Sequence, residues 1–454
     1  MAHHDLHRRL HTGQQELWQR VADRRDAVLA RLQDAVHPGY TFPWRVAEAP
    51  AVVPRGVFEQ DVARMRALLV PYFEPEFRGR YAKHVPERYR RPDDSGWFPR
   101  FIATDFQRAW DADAGEFTWG VPEIQSFPGN VLLKPLMLRS LRPELDGVAE
   151  SDLFLDEEVG GFEEYLGLVR THVLDGFAAD ETVIVELQPM AQKTVVDMLL
   201  FARYLGLAVV ALEDVRVDPA TGEAYAESGI VFEDGMPRRT TWSRPRVLRN
   251  ILCRALPDEI DAAVGPGPSA LDPSTLEALF QGTLDRGTVR WVVHPQDFFV
   301  LSKETLVGNP HHAPPLLPVT DGLPAQLAAA GWAPTDGVVK PLHQAGGRGL
   351  EGFGGALDAA RLRELARSPG AYVWQRRYGA DPFAPPAVSG REDPRPLYHE
   401  LRLMWATTTA PDTGDVRLRL LCGLTRWNRV GDPANASWAK TPFTGTHGLL
   451  VADV

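Results

Sequence analysis

The segment Val338-Val339-Lys340-Pro341-Leu342-His343-Gln344-Ala345-Gly346-Gly347-Arg348-Gly349 ends a β-branched run on a lysine and follows it with glycines. Lysine offers a compact ammonium on a long stem, and glycines let backbone N–H groups approach anionic oxygens with no Cβ in the way. The segment therefore reads as a strand leading into a phosphate-covering loop, with Lys340, Gly346, Gly347, Arg348 and Gly349 as the contacting residues. A polyphosphate carries enough charge to need several cations held at once. Lys303, which follows the apolar run Phe299-Val300-Leu301 at the expected start of a helix, is assigned as the second.

Polyphosphate chemistry also needs a divalent cation, and so hard oxygen ligands that converge. Glu123 and Gln125 are two apart on an expected strand and so face one side; turn residues at Asp111 to Gly115 would set Asp105 on the preceding strand opposite them. Phe101, Ile102, Phe106, Val121 and Ile124 make both strands look buried, where an unpaired carboxylate would be costly. Arg402 and Arg426 carry the planar guanidinium that clamps a phosphate or carboxylate at two points, although ordinary ion pairing accounts for each equally well. Asp297, Asn428 and Asn435 are weaker candidates. Gly347, Gly349 and Gly352 also spell G-x-G-x-x-G, but a dinucleotide fingerprint opens a helix directly and finds an acidic residue about 20 positions on. Here the helix is expected only from Leu357, and position 372 is Tyr372.

The elements that must hold these residues are spread over 454 positions, more than one core usually serves. Residues 1–95 read as mostly helical, since Leu17, Val21, Val28, Leu29 and Leu32 recur at helical intervals before the proline-bearing stretch Pro86 to Gly96. Residues 96–150 carry the hairpin. In residues 151–268, a strand at Glu181 to Leu187, a helix from Thr194 stopped by Gly206, and a strand at Ala208 to Leu212 make a parallel crossover, so an open α/β domain is expected. A hairpin turning at Asp234-Gly235 extends it. The cluster Gly265-Pro266-Gly267-Pro268 then leads into residues 269–454, with Trp291 to Val293, the lysine and glycine segment, and strands at Ala371 to Arg376, Leu401 to Thr407 and Val416 to Leu424, the last two joined by a polar turn at Pro411 to Asp415.

Composition narrows the partners. Acidic side chains outnumber basic ones, 60 to 49, and the net charge of -11 disfavours nucleic acid or an anionic membrane as the main partner. No apolar run approaches the roughly 20 residues that span a bilayer, and the N-terminus has no signal-peptide core, so a cytoplasmic protein is expected. Cys253 and Cys422 are far apart and read as buried thiols. Adjacent histidines, His3-His4 (with His7 close by) and His311-His312, point in different directions on any regular element, so neither group reads as a metal site.

The order of these motifs resembles ATP-grasp carboxylate-amine ligases, in the circularly permuted branch that includes glutathionylspermidine synthetases. In that branch the metal cassette precedes the nucleotide half, as Asp105 and Glu123-Ile124-Gln125 here precede Lys303, Lys340-Pro341 and Gly346 to Gly349. The resemblance covers roughly residues 95–454. It implies a mixed α/β fold of the ATP-grasp type with an open α/β domain between the two halves. It further implies ATP and Mg2+ as cofactors, and an amide bond made between a small-molecule carboxylate and an amine through an acyl phosphate. In it, Tyr372-Val373-Trp374-Gln375 is similar to the strand leading into the adenine hinge, with Gln375 as a cofactor contact, and Arg402 and Arg426 are similar to the catalytic arginines of the closing strands. Three positions depart from the family pattern: Gln125 replaces an asparagine but keeps a carbonyl oxygen, Arg376-Arg377 stand where an acidic hinge residue is common, and Ala103 where an arginine often precedes the metal aspartate. A small-molecule kinase or an ATP-binding protein without chemistry are the alternative readings of the same residues.

Overall fold

The computed structural model describes residues 2–82, 84–91, 98–126, 129–265, 271–307, 309, 315–344, 349–352, 357–368, 370–377, 381–383, 395–409, 415–429 and 444–453. Gly346, Gly347, Arg348, His311, His312, Asn435 and most of the Pro411 to Asp415 turn lie outside them.

Apolar spacing makes the N-terminal region helical. α1 (Ala2–Ala22) and α2 (Arg25–Val36) bury Leu17, Trp18, Val21, Val28, Leu32 and Val36 along one side, the stripe that a 3.6-residue period produces. β1 (Ala51–Pro54), α3 (Arg55–Leu69) and α4 (Pro75–Ala82) follow. The expected hairpin forms from β2 (Phe101–Asp111) and β3 (Glu116–Gln125). Asp111 Oδ1 accepts from the N–H groups of Asp113 and Ala114 at 3.0 Å each, and Gly115 takes a φ of 66°, which closes the turn. The ladder pairs Asp105 with Glu123 and slips before it reaches Gln107 and Gly120, leaving Phe106 against both Val121 and Pro122. Proline has no N–H to give a ladder, so a bulge is where a strand tolerates it. α5 (Leu133–Leu141) comes next and is buried at every residue except Arg139.

The middle of the chain forms the expected crossover. α6 (Phe162–Leu174) leads to β4 (Thr182–Glu186), then α7 (Val195–Leu205), which ends where Gly206 adopts a φ of 74°, and then β5 (Ala208–Ala211). β6 (Arg216–Val217), β7 (Ala224–Glu233), β8 (Met236–Val247), β9 (Asn250–Cys253) and β10 (Arg290–Val293) complete this sheet in the order β10-β9-β4-β5-β7-β6, with β8 on β7. Its β10-β9-β4-β5 part is parallel. β10 comes from beyond the proline and glycine cluster at 265–268, so the sheet reaches across the division expected there.

β11 (Leu316–Pro318), β12 (Gly337–Pro341) and β13 (Tyr372–Arg376) make a small antiparallel sheet in the order β11-β13-β12. Val339 and Trp374 of this sheet pack with Leu362 and Leu365 of the helix Ala359–Ala366 in a core of its own. β14 (Leu397–Thr409), β15 (Val416–Arg429) and β16 (Gly445–Ala452) then return to the hairpin, giving the sheet β1-β16-β15-β14-β2-β3. The largest core lies between this sheet, the N-terminal helices and α5 to α7. α5 rests directly on β16: a Cβ at Gly448 would lie 2.5 Å from Leu138 Cγ. The class is mixed α/β, as expected, and among the described residues no helix is long and apolar enough to cross a membrane.

Candidate functional site

β14 lies between β2 and β15, so side chains from one face of three neighbouring strands can meet. Arg402 stands opposite Asp105, and Arg426 opposite Glu400. The Arg402 fork takes both carboxylate oxygens of Asp105, with Nε donating to Oδ1 and Nη2 to Oδ2 at 2.6 Å. Arg426 Nη2 donates to Asp105 Oδ2 at 2.5 Å and lies 2.6 Å from Glu400 Oε1. With its amide oxygen turned toward Arg402, Gln125 accepts from Nη1 at 3.1 Å and from Nη2 at 2.6 Å. Burial pushes the Asp105 carboxyl up, but the two guanidinia outweigh it and hold the group well below the usual carboxylate range. Glu400 goes the other way: its burial, with repulsion from the Asp105 charge, outweighs the pull of Arg426 and leaves it raised.

The small sheet approaches the outer edge of β3. Lys303 opens the short helix Lys303–Leu306; its Nζ is 3.1 Å from Glu123 Oε1 and donates to the Gln344 carbonyl at 2.9 Å. Lys340, the fourth residue of β12, donates through Nζ to the Pro122 carbonyl at 3.0 Å, and Gln375 of β13 donates through Nε2 to the Val121 carbonyl at 3.0 Å. Both acceptors belong to the bulge, whose irregular ladder on an edge strand leaves carbonyls for a second element to use. Burial raises the Glu123 carboxyl, yet the charges of Lys303, Arg402 and Lys340 together more than offset this and the net shift is downward. Burial lowers the Lys340 ammonium to about 8 even though Glu123 pulls it back up.

Among residues singled out in the sequence, Asp105, Gln125, Arg402 and Arg426 thus meet directly, Glu123 meets Lys303, and Lys340 and Gln375 meet the backbone between them. Gly349, with a φ of 64°, lies close to Pro341. Asp297 is elsewhere, accepting from the His294 N–H at 3.2 Å, and Asn428 Nδ2 is 3.5 Å from the Arg426 carbonyl. Cys253 and Cys422 are buried free thiols.

Two residues escaped the sequence reading. Glu400 shares a strand face with Arg402, two positions on, and that spacing was its available signal. Lys134 of α5 is fully buried with no hydrogen-bond partner for Nζ among the described residues. Burial lowers its ammonium to about 8, with Cys422 acting against the shift and Arg402 and Asp105 both felt there. A lone lysine inside Val131-Leu132-Leu133-Lys134-Pro135-Leu136 was the trace it left in the sequence.

Four basic side chains, Lys303, Lys340, Arg402 and Arg426, therefore bracket Asp105, Glu123 and Glu400. Such a cluster can take a multiply charged anion on its cations and a divalent ion on the carboxylates so released.

No protein-family model and no curated protein matches the chain. Among solved structures, a glutathione synthetase-like effector from Globodera pallida, in its apo form, is similar to it with a TM-score of 0.55 and 13% sequence identity over 96% of this chain and 97% of that one. A likeness at that identity shows the fold alone, a glutathione synthetase-like mixed α/β arrangement.

Proposed function

We propose that the chain is an ATP-dependent carboxylate-amine ligase of the circularly permuted ATP-grasp kind, joining a small-molecule acid to an amine with release of ADP and phosphate. The observation that supports this best is the meeting of two lysines from the last third of the chain with the hairpin: Lys303 at 3.1 Å from Glu123, and Lys340 at 3.0 Å from the bulge carbonyl of Pro122. The glutathione synthetase-like fold agrees with it.

In this reading Lys303 and Lys340 hold the phosphates of ATP, and the stretch Gly346, Gly347, Arg348 and Gly349 covers them and excludes water, because an acyl phosphate hydrolyses readily. Gln375, already bonded to Val121, braces β13 against β3 beside the place for adenine. Asp105, Glu123 and Gln125 present oxygen donors on one hairpin, a set that suits Mg2+, and their present partners are cations that phosphate oxygens would draw away. They fit the ion, which when bound would neutralise charge on the phosphates. The substrate carboxylate oxygen attacks the terminal phosphorus of ATP, and the bond to the ADP oxygen breaks. Arg402 and Arg426 neutralise the charge that grows on the phosphoryl group in transit. The amine nitrogen then attacks the acyl carbon, loses a proton, and phosphate leaves with the electron pair of the C–O bond.

Replacing Lys340 by Ala should abolish ADP release that depends on both acid and amine, read across a panel of substrates with mass spectrometry of the product. Unchanged turnover would sink the assignment. A stable phosphoester in place of an amide would make the protein a kinase, and tight ATP binding with no ADP from any substrate would make it a binding protein.

A further inference from the structure

α1 carries His7 and His11 one helical turn apart, and so on one face. Both rings aim Nε2 at the same atom, Asp381 Oδ2, at 2.8 Å and 3.0 Å, although Asp381 lies 374 and 370 positions away. The two ring nitrogens and the carboxylate all fall within 4.8 Å of one another. Bonds of about 2.0–2.2 Å to a tetrahedral zinc ion set ligand atoms roughly 3.3–3.6 Å apart, so the two nitrogen-to-carboxylate separations need to widen only slightly to admit an ion. Their surroundings hold them in place. The His7 ring stacks on Trp110 with centroids 4.7 Å apart, the His11 ring meets the edge of Phe383 at 5.5 Å, and the Asp381 N–H donates to the Arg108 carbonyl at 3.2 Å. The three side chains keep 19%, 31% and 13% of their surface in water, enough for an ion to enter with a water molecule. His399 is close enough to feel the charges of Asp381 and His11, and its buried Nε2 has no hydrogen-bond partner among the described residues.

The geometry points to a binding site for a divalent transition ion, zinc by preference, held by His7 Nε2, His11 Nε2 and the Asp381 carboxylate with water in the open position. Two imidazoles and one carboxylate are borderline donors that suit zinc and cobalt and disfavour Mg2+. None of the three touches the cluster around Asp105. The site would instead fasten α1 to the chain between β13 and β14. His7 belongs to the histidine-rich start of the chain, yet its partners here lie one turn on, at His11, and near the far end, at Asp381.

The full chain, stripped of metal with a chelator, is titrated with Zn2+ by calorimetry, and with Co2+ by visible absorption as a report on coordination. One equivalent should bind, with a tetrahedral-type cobalt spectrum and a higher Tm, and Mg2+ should not compete. His7→Ala, His11→Ala and Asp381→Asn should each weaken zinc by about a hundredfold or more, whereas a His3→Ala/His4→Ala variant should keep it. Circular dichroism checks each fold, and Asp381→Asn, which preserves side-chain shape, decides the case if a histidine variant unfolds. Absence of zinc binding, binding indifferent to these three substitutions, or binding lost with His3 and His4 overturns the proposal.

Discussion

Lys340 is caught between burial, which removes its charge, and Glu123, which restores it, with the outcome near 8 in place of 10.5. Phosphates set beside it would stabilise the ammonium, so ATP binding near pH 8 should take up a proton and ATP affinity should fall as pH rises further. Calorimetry in two buffers of different ionisation enthalpy should detect the uptake, and Lys340→Met should remove it; uptake that persists in the variant clears Lys340 as the source. The sign for folding is opposite. The unfolded chain binds more protons between about 8 and 10.5, so this residue makes stability rise with pH across that window. Asp105, Glu123, Lys303, Lys340, Arg402 and Arg426 stood out in the sequence because each is a charge set in or beside an apolar run, and such charges need partners. Lys134 and Glu400 carry the same mark, a charge in or beside an apolar run, but no glycine loop or spaced oxygen donors beside them tied that charge to a phosphate or a metal.

At the scale of elements, local chemistry marked the turns and periods well. The Asp111 to Gly115 turn, the stop at Gly206 and the Asp234-Gly235 hairpin all formed where their residue types required. What local chemistry could not convey was pairing over long separations: β1 lies parallel to β16 with Ala51 beside Leu449, and β10 joins the open sheet. Nor did it show the β3 bulge, which exists because two residues oppose one across strands. The seat of α5 on β16 is a tight contact of this non-local sort. Gly448→Ala should destabilise by about 1–3 kcal/mol through overpacking against Leu138, and Leu138→Ala by about 2–5 kcal/mol through the cavity it leaves. In denaturant unfolding the double variant should lose clearly less than the sum; strict additivity would mean the two groups do not touch.

At the scale of the molecule, the candidate site is divided between the hairpin sheet and the small sheet, joined at 3.0 Å by Lys340 and Pro122 although 218 residues separate them. ATP with Mg2+ should therefore raise Tm, and in hydrogen exchange should slow the amides of β3 and β12 together; protection of one without the other would count against a shared ligand. The chain as a whole is acidic, net -11, yet every carboxylate of the cluster already has a cation, Asp105 with two arginines, Glu123 with Lys303 and Glu400 with Arg426. A solitary divalent ion finds no surplus negative charge there to draw it in. Only a companion that brings its own negative charge can prise those pairs apart. On the proposed function, ion and nucleotide board as a single passenger, and free magnesium, however plentiful, leaves the resting protein untouched.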